Sequence, residues 1–190
     1  MIGRGIKNTT TRTISFILFV WLVHCSACFA GTRGLPPQEG ILNYGKIGED
    51  IYRGAEPDTA AVANLQRLGI KSIIDLRRPS QVRKGESAEA RASGIAYTNV
   101  PMPGLSRPTD EQVQTVLTLM GSLPKPVFIH CQHGCDRTGT IIACYRIKHD
   151  QWTHQNAWRE AVHYGISRLE RGMKAYVKGF ASASVSLAKN

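Results

Sequence analysis

The chain has 190 residues, of which 42% are hydrophobic and 20% are charged. This length is typical of one domain, and the composition excludes a disordered or collagen-like chain. Five cysteines are too few for a disulfide-stabilised scaffold. Lys and Arg number 24 against 14 Asp and Glu, which gives a formal net charge of +10. This excess favours anionic partners, such as phosphorylated molecules, nucleic acid or acidic lipid.

The first 30 residues have the order of a secretory signal peptide. Three basic residues precede an apolar run at 14–23, and small residues follow as far as Ala30. The run is shorter than the roughly 20 residues that a membrane-spanning helix needs. We therefore expect a signal peptide over 1–30 and export to the periplasm or out of the cell. The alternative is membrane contact through an uncleaved or lipidated N-terminus.

Strand and helix patterns alternate after this segment. Residues 31–44 contain Gly and Pro and are expected to form a flexible leader. Strand patterns occur at 48–53, 70–76, 95–100 and 127–129, and helix patterns begin near residues 58, 86, 109, 138, 153 and 167. The alternation predicts one α/β domain over 45–180, with a mainly parallel central sheet flanked by helices. Residues 181–190 are expected to form a disordered tail.

The stretch VFIHCQHGCDRTG at 127–139 contains the candidate catalytic and binding residues. A buried strand delivers Cys131 to a tight turn, after which Arg137 enters a helix. The N–H groups of such a turn form an anion-binding nest, and the start of the helix adds its positive dipole end. Arg137 can bind two phosphoryl oxygens at once, and the positive field favours the thiolate form of Cys131. The pattern predicts a phosphate site with a nucleophilic cysteine.

Residues 130–139 match H-C-x5-R-[ST]-G and resemble the signature loop of cysteine-dependent protein tyrosine and dual-specificity phosphatases. IYRGAEP at 51–57 and LGIKSIIDLR at 68–77 are similar to small bacterial and fungal members, so the resemblance covers about residues 45–165. It implies the fold of that family and phosphomonoester hydrolysis through a phosphocysteine on Cys131, with Arg137 binding the phosphate. Phosphorylated tyrosine, serine and threonine, inositol phosphates and phosphoinositides all fit such a loop.

The general acid is the point at which this chain departs from the family pattern. The family places an Asp on a loop before the signature strand, but residues 100–108 contain no carboxylate and Asp110 is the first. Asp136 resembles the Asp of the C-x4-D-R loops of myotubularin-like and certain bacterial phosphatases. We expect Asp136 to protonate the leaving group, with Asp110 as the alternative. Many C-x4-D-R phosphoinositide phosphatases have Lys where this chain has Cys135, which disfavours that substrate.

The other loop residues are expected to contact substrate. Gly134 would let the backbone approach the anion closely, and the Thr138 hydroxyl would face the sulfur. Cys135 has two alternative roles, either forming a disulfide with oxidised Cys131 or filling space as a packed thiol. The predicted substrate-binding set is Gln132, His133, Gly134, Cys135 and Thr138.

Three other functions are compatible with parts of this stretch. His130, Cys131, His133 and Cys135 are potential zinc ligands, but four ligands on one tight turn do not easily surround one ion. A phosphate-binding module with little turnover would keep the loop, and a thiol redox or sulfur-transfer protein would use its cysteines. No run of five basic residues supports nucleic-acid binding. The expected partner is a phosphorylated protein, small molecule or lipid, and we expect neither a metal nor a cofactor.

Overall fold

The computed structural model describes the backbone of residues 33–187 and the side chains of residues 33–180. The predicted signal peptide lies outside these residues. Within the described part of the chain, no helix combines the length and the apolar character needed to cross a membrane.

Strands and helices alternate along the described residues, as the sequence predicted. The strands are β1 Gly45–Lys46, β2 Ile51–Gly54, β3 Ser72–Asp75, β4 Ala96–Asn99 and β5 Val127–His130. The helices are α1 Thr59–Arg67, α2 Glu86–Ala92, α3 Asp110–Ser122, α4 Asp136–Lys148, α5 His154–His163 and α6 Arg171–Leu187. A short 3-10 turn, Pro79–Gln81, follows β3.

The strands form one sheet in the order β1-β2-β5-β3-β4. Only β1 runs antiparallel to its neighbour, and the other pairs are parallel. The predicted α/β fold with a mainly parallel central sheet is therefore confirmed. β5 lies in the middle, with Ile129 opposite Arg53 on one side and Ile74 on the other. The strand that leads into the signature loop is thus held from both sides.

Apolar side chains cover both faces of the sheet. Successive residues of a strand point to opposite faces. Phe128 and Ile73 accordingly pack with residues of α1 and α2, whereas Ile129 and Ile74 pack with residues of α3, α4 and α6. Burial on both faces explains why the central strands β3 and β5 contain consecutive apolar residues, Ile73–Ile74 and 127–129, rather than an alternating pattern.

Side chains cap the starts of α1 and α3. The Asp58 side chain accepts a hydrogen bond of 2.8 Å from the N–H of Ala61 at the start of α1. Thr109 and Gln112 form a reciprocal capping box at the start of α3.

Three boundaries differ from the sequence expectations. The end of the predicted leader packs against the domain, because Ile41 and Asn43 have no exposed surface, whereas most of residues 33–40 is exposed. Helix α4 begins at Asp136 rather than Thr138, since Cys135 already has right-handed helical backbone angles. Helix α6 continues to Leu187, through much of the tail that was expected to be disordered. The Ala residues in that segment favour a helix.

Candidate active site

Cys131 directly follows β5 at the carboxyl end of the parallel strands. Ligand sites of open α/β sheets lie at this edge. All four residues of β5 are buried, and Cys131 itself is only 2% exposed. The loop therefore starts from a rigid support.

Two donors bind the carbonyl groups of Cys131 and Gln132. Nδ1 of His130 lies 3.2 Å from the carbonyl oxygen of Cys131. Because a carbonyl can only accept, this ring nitrogen is the donor. The N–H of Glu56 donates to the carbonyl oxygen of Gln132 over 3.3 Å. Both carbonyl oxygens therefore point away from the inside of the loop.

Two buried side chains that the sequence patterns did not reveal bind the next two carbonyls. Nδ2 of Asn43 donates to the carbonyl of His133 over 2.8 Å, and Nη2 of Arg53 donates to the carbonyl of Gly134 over 2.5 Å. Neither donor has exposed surface. The Arg53 guanidinium stacks 3.8 Å from the ring centre of Tyr164, and burial lowers the pKa of Arg53 to about 10. The only sequence signal for either residue was its place beside an apolar strand.

The N–H groups of the loop are consequently left for a ligand. Those of residues 132–138 donate to no acceptor among the described residues. Backbone bonding resumes with the N–H of Gly139, which donates to the carbonyl of Cys135 over 2.7 Å. These free donors, at the N-terminus of α4, form a nest that can bind an anion of phosphate size.

Arg137 and Thr138 are the second and third residues of α4, which begins at this nest. Nη1 of Arg137 donates to Oε1 of Gln81 over 2.9 Å and to the carbonyl of Leu76 over 3.4 Å. The Thr138 hydroxyl is fully buried and has no hydrogen-bond partner among the described residues. A buried donor without a partner is costly, so a thiolate or a bound anion would satisfy it.

Gly134 lies where the loop packs closely against the end of β2. It has a φ of +68°, and a Cβ there would lie 2.5 Å from the carbonyl carbon of Gly54 and 2.7 Å from the nitrogen of Ala55. A side chain at residue 134 would therefore collide with the end of β2.

Both oxygens of Asp136 are occupied. Oδ2 accepts from Nη2 of Arg33 over 2.7 Å, and Oδ1 accepts from Nη1 of Arg33 over 3.2 Å and from the N–H of Ser167 over 2.8 Å. The hydrogen bond to Asp136 raises the pKa of Arg33, which opposes loss of its proton. The carboxylate therefore joins the start of α4 to the leader and to the segment before α6.

The Cys135 thiol lies against the leader. Its sulfur is 3.1 Å from Nδ2 of Asn43 and 3.3 Å from the carbonyl of His133, and it also contacts the carbonyl of Arg33. Burial raises the pKa of Cys135 to about 11, so that the neutral thiol is favoured. These contacts fit the packing role among the two alternatives for Cys135.

The remaining candidates differ in exposure. His133 is exposed and Gln132 is half-buried, and Oε1 of Gln132 accepts from Nε2 of Gln81 over 3.2 Å. Asp110 has 80% of its side chain exposed and lies 4.0 Å from Arg107. It stands at the start of α3, outside the signature loop.

An ion-pair network around Arg77 lies at the end of β3, beside the residue pair Asp75 and His130 where β5 leads into the loop. Nε and Nη2 of Arg77 donate to Asp75 over 2.9 and 2.8 Å, and the guanidinium also binds Glu86 and Glu56. Burial opposes ionisation of Asp75, but the hydrogen bonds from Arg77 outweigh it and lower the pKa of Asp75. Asp75, Glu86 and His130 have ligand atoms within 4.8 Å of one another. Arg77 donates hydrogen bonds directly to both carboxylates, so we interpret the cluster as structural.

The parallel sheet, the anion nest and Cys131 with Arg137 define the class of cysteine-dependent phosphatases. Residues 44–178 match the family described as "DSP-PTPase phosphatase fused to NAD+ Kinase". The chain belongs to this family, and the resemblance of the signature loop is confirmed.

Two curated relatives are similar to much of the chain. The dual specificity protein phosphatase TpbA of Pseudomonas aeruginosa is 31% identical over 142 residues, which are 73% of this chain and 62% of that protein. The chain thus spans less than two thirds of that relative. The inositol diphosphatase DSP4 of Arabidopsis thaliana is 27% identical over 155 residues, 79% of this chain and 75% of that protein.

Solved structures share the fold. The crystal structure of P. aeruginosa TpbA has a TM-score of 0.67 at 27% identity, covering 84% of this chain and 98% of that chain. The catalytic core of the PP-IP phosphatase SIW14 from S. cerevisiae has a TM-score of 0.68 at 21% identity, covering 82% and 93%. The second likeness supports the fold alone.

Proposed function

We propose that this protein hydrolyses phosphomonoesters through a phosphocysteine intermediate on Cys131. The observation that carries the proposal is the orientation of the loop, in which the carbonyls of residues 131–134 are bound outside while the N–H groups of residues 132–138 are free. Donors fixed in advance around a phosphoryl group stabilise the charge of the transition state without reorganisation. Membership in a phosphatase family supports the same activity.

The chemistry proceeds in two displacements. The thiolate of Cys131 attacks phosphorus, a P–S bond forms, and the P–O bond to the leaving group breaks. The loop N–H groups and Arg137 hold the phosphoryl oxygens throughout. Water then attacks phosphorus and releases inorganic phosphate and the thiolate.

Asp136 is the proposed proton donor to the leaving group and, in the second step, the base that accepts a proton from water. In the described arrangement Arg33 and Ser167 occupy both of its oxygens. Donation therefore requires Arg33, whose side chain is 46% exposed, to swing away first. Asp110 is the alternative donor.

The charges at the loop favour substrates with a single phosphate. Arg33 and Arg77 are paired with carboxylates, and the fully buried Arg53 is directed at the carbonyl of Gly134. Arg137 is the guanidinium that the loop itself supplies. The thiol of Cys135 faces Asn43 and adds no positive charge. We propose phosphotyrosine and other phosphorylated side chains as substrates ahead of multiply phosphorylated inositols. The similar protein TpbA has been crystallised in complex with pTyr, which supports this order.

A nucleophile variant tests the proposal. The wild-type chain is expected to hydrolyse an aryl phosphate, and Cys131→Ser is expected to lose turnover while still binding tungstate, because the nest and Arg137 remain. A panel of phosphotyrosine peptide, phosphoserine peptide and inositol hexakisphosphate then ranks the substrates. Tungstate binding by a wild-type chain without hydrolysis would instead indicate a binding module.

We further propose that the protein is exported. The basic, apolar and small-residue segments of residues 1–30 support this location. Detection of the full chain in periplasmic and culture-medium fractions, with N-terminal sequencing of the mature form, tests it. Recovery of the protein, with residues 1–30 retained, in the cytoplasmic fraction would contradict it.

A further inference from the structure

Gln81 bridges the two sides of the phosphate nest. Its Oε1 accepts from Nη1 of Arg137 over 2.9 Å, and its Nε2 donates to Oε1 of Gln132 over 3.2 Å. Because Arg can only donate, the amide orientation is fixed by chemistry. We propose that Gln81 is a positioning residue that orients Arg137 for the substrate phosphoryl group. This inference rests on the proposed function.

The geometry of Arg137 shows what the bridge achieves. A guanidinium has five N–H donors, and Nη1 carries two of them. Gln81 and the carbonyl of Leu76 both accept from Nη1. Nε and Nη2 donate to no acceptor among the described residues. These two atoms form one edge of the guanidinium, which is the edge that binds two phosphoryl oxygens in parallel.

Gln81 is itself held in place. It ends the turn Pro79–Gln81, and its N–H donates to the carbonyl of Arg78 over 2.8 Å. The turn follows β3, whose last residue, Asp75, accepts three hydrogen bonds from Arg77. The amide that orients Arg137 is therefore anchored to the sheet independently of the signature loop.

A neutral partner suits this position better than a carboxylate. An amide oxygen fixes the direction of the guanidinium but leaves its positive charge uncompensated. A Glu at residue 81 would keep the acceptor and place a negative charge near the phosphate dianion. Gln81 can thus orient the guanidinium of Arg137 without neutralising its positive charge.

Two variants of the full chain separate these effects. Gln81→Met keeps the length of the side chain but removes both hydrogen bonds, and is expected to lower kcat/KM for an aryl phosphate by roughly tenfold. In a Cys131→Ser background it should raise the Kd for tungstate by a similar factor. Gln81→Glu keeps Arg137 oriented, so kcat should fall less than in Gln81→Met, while KM rises through charge repulsion. Gln66→Met, on the exposed face of α1, is the matched control and should match wild type.

The outcomes distinguish this inference from the proposed function. If the wild type hydrolyses aryl phosphate and Gln81→Met equals it in kcat/KM and in the Kd for tungstate, Gln81 does not position Arg137. An equal loss of kcat in Gln81→Met and Gln81→Glu would likewise overturn the role, because only one of them lacks the acceptor. Should Gln81→Met unfold, Gln81→Ala is measured in its place. Absence of both hydrolysis and tungstate binding in the wild type would contradict the proposed function itself.

Discussion

Arg33 and Asp136 form a doubly hydrogen-bonded ion pair although 103 residues separate them in the sequence. The pair joins the leader to the first turn of the helix that carries Arg137. Ser167 adds a third hydrogen bond to the same carboxylate. One side chain therefore links three segments next to the phosphate nest.

The ion pair is expected to stabilise the fold modestly, since the Arg33 side chain is 46% exposed and solvent screens the interaction. Asp136→Asn should lower the free energy of unfolding by about 1–2 kcal/mol, and Arg33→Met by less. A double-mutant cycle by urea unfolding should give a coupling energy of about 0.5–1 kcal/mol. Strictly additive effects would show that the two residues do not interact in solution.

Proton donation by Asp136 predicts a dependence on the leaving group. Asp136→Asn should slow hydrolysis of an alkyl phosphate by about 10²-fold or more, but that of nitrophenyl phosphate by much less, because nitrophenolate leaves almost unaided. Asp110→Asn serves as the control and should change both rates little. If Asp136→Asn slows hydrolysis of the two substrates equally, Asp136 is not the proton donor and serves only to join the three segments it contacts.

Asn43 is expected to be essential for the shape of the loop. It has a φ of +55°, and its side chain bonds the carbonyls of Arg33 and His133 and the N–H of Leu35. Asn43→Gly keeps this backbone conformation but removes the amide, and should cost about 2–3 kcal/mol of stability. Tungstate affinity should fall too, because the carbonyl of His133 would be free to turn inward. Unchanged affinity in a folded Asn43→Gly protein would contradict this role.

The three described cysteines should differ in reactivity. Burial raises the pKa of Cys135 to about 11 and raises that of Cys144 as well. Both are therefore neutral thiols at pH 7.5, and the thiolate is the reactive form. Iodoacetamide is expected to modify Cys131 first and to abolish activity in proportion, as read by peptide mass spectrometry. Faster labelling of Cys135 or Cys144 would refute this order.

The same pKa shift predicts a pH dependence of stability. A free thiol ionises near pH 9, whereas folded Cys135 keeps its proton to about pH 11. Between these values the unfolded chain releases a proton that the folded chain retains, so the free energy of unfolding falls as pH rises, by about 1.4 kcal/mol per pH unit for one group. Cys135→Ser should show a shallower fall in this window in urea titrations. An identical slope would indicate that Cys135 is not buried in solution.

The signature loop could be predicted because its chemistry is local. Cys131 and Arg137 are six residues apart on one turn, and a strand before it and a helix after it follow from apolar runs and capping residues. The sheet class followed in the same way from alternating patterns. The two-residue strand β1 was too short to produce a pattern, and the composition of the leader concealed the buried Ile41 and Asn43.

The sequence by itself determined the fold class, the signature loop and the nucleophile with its phosphate-binding arginine. The tertiary structure alone decided which residues hold that loop open: Asn43, Arg53 and Gln81 bind it from segments that are 90, 81 and 56 residues away from their partners in the chain. The physical reason is that periodicity and capping report hydrogen bonds within a few residues, whereas these donors and acceptors meet only after β5 has inserted between β2 and β3.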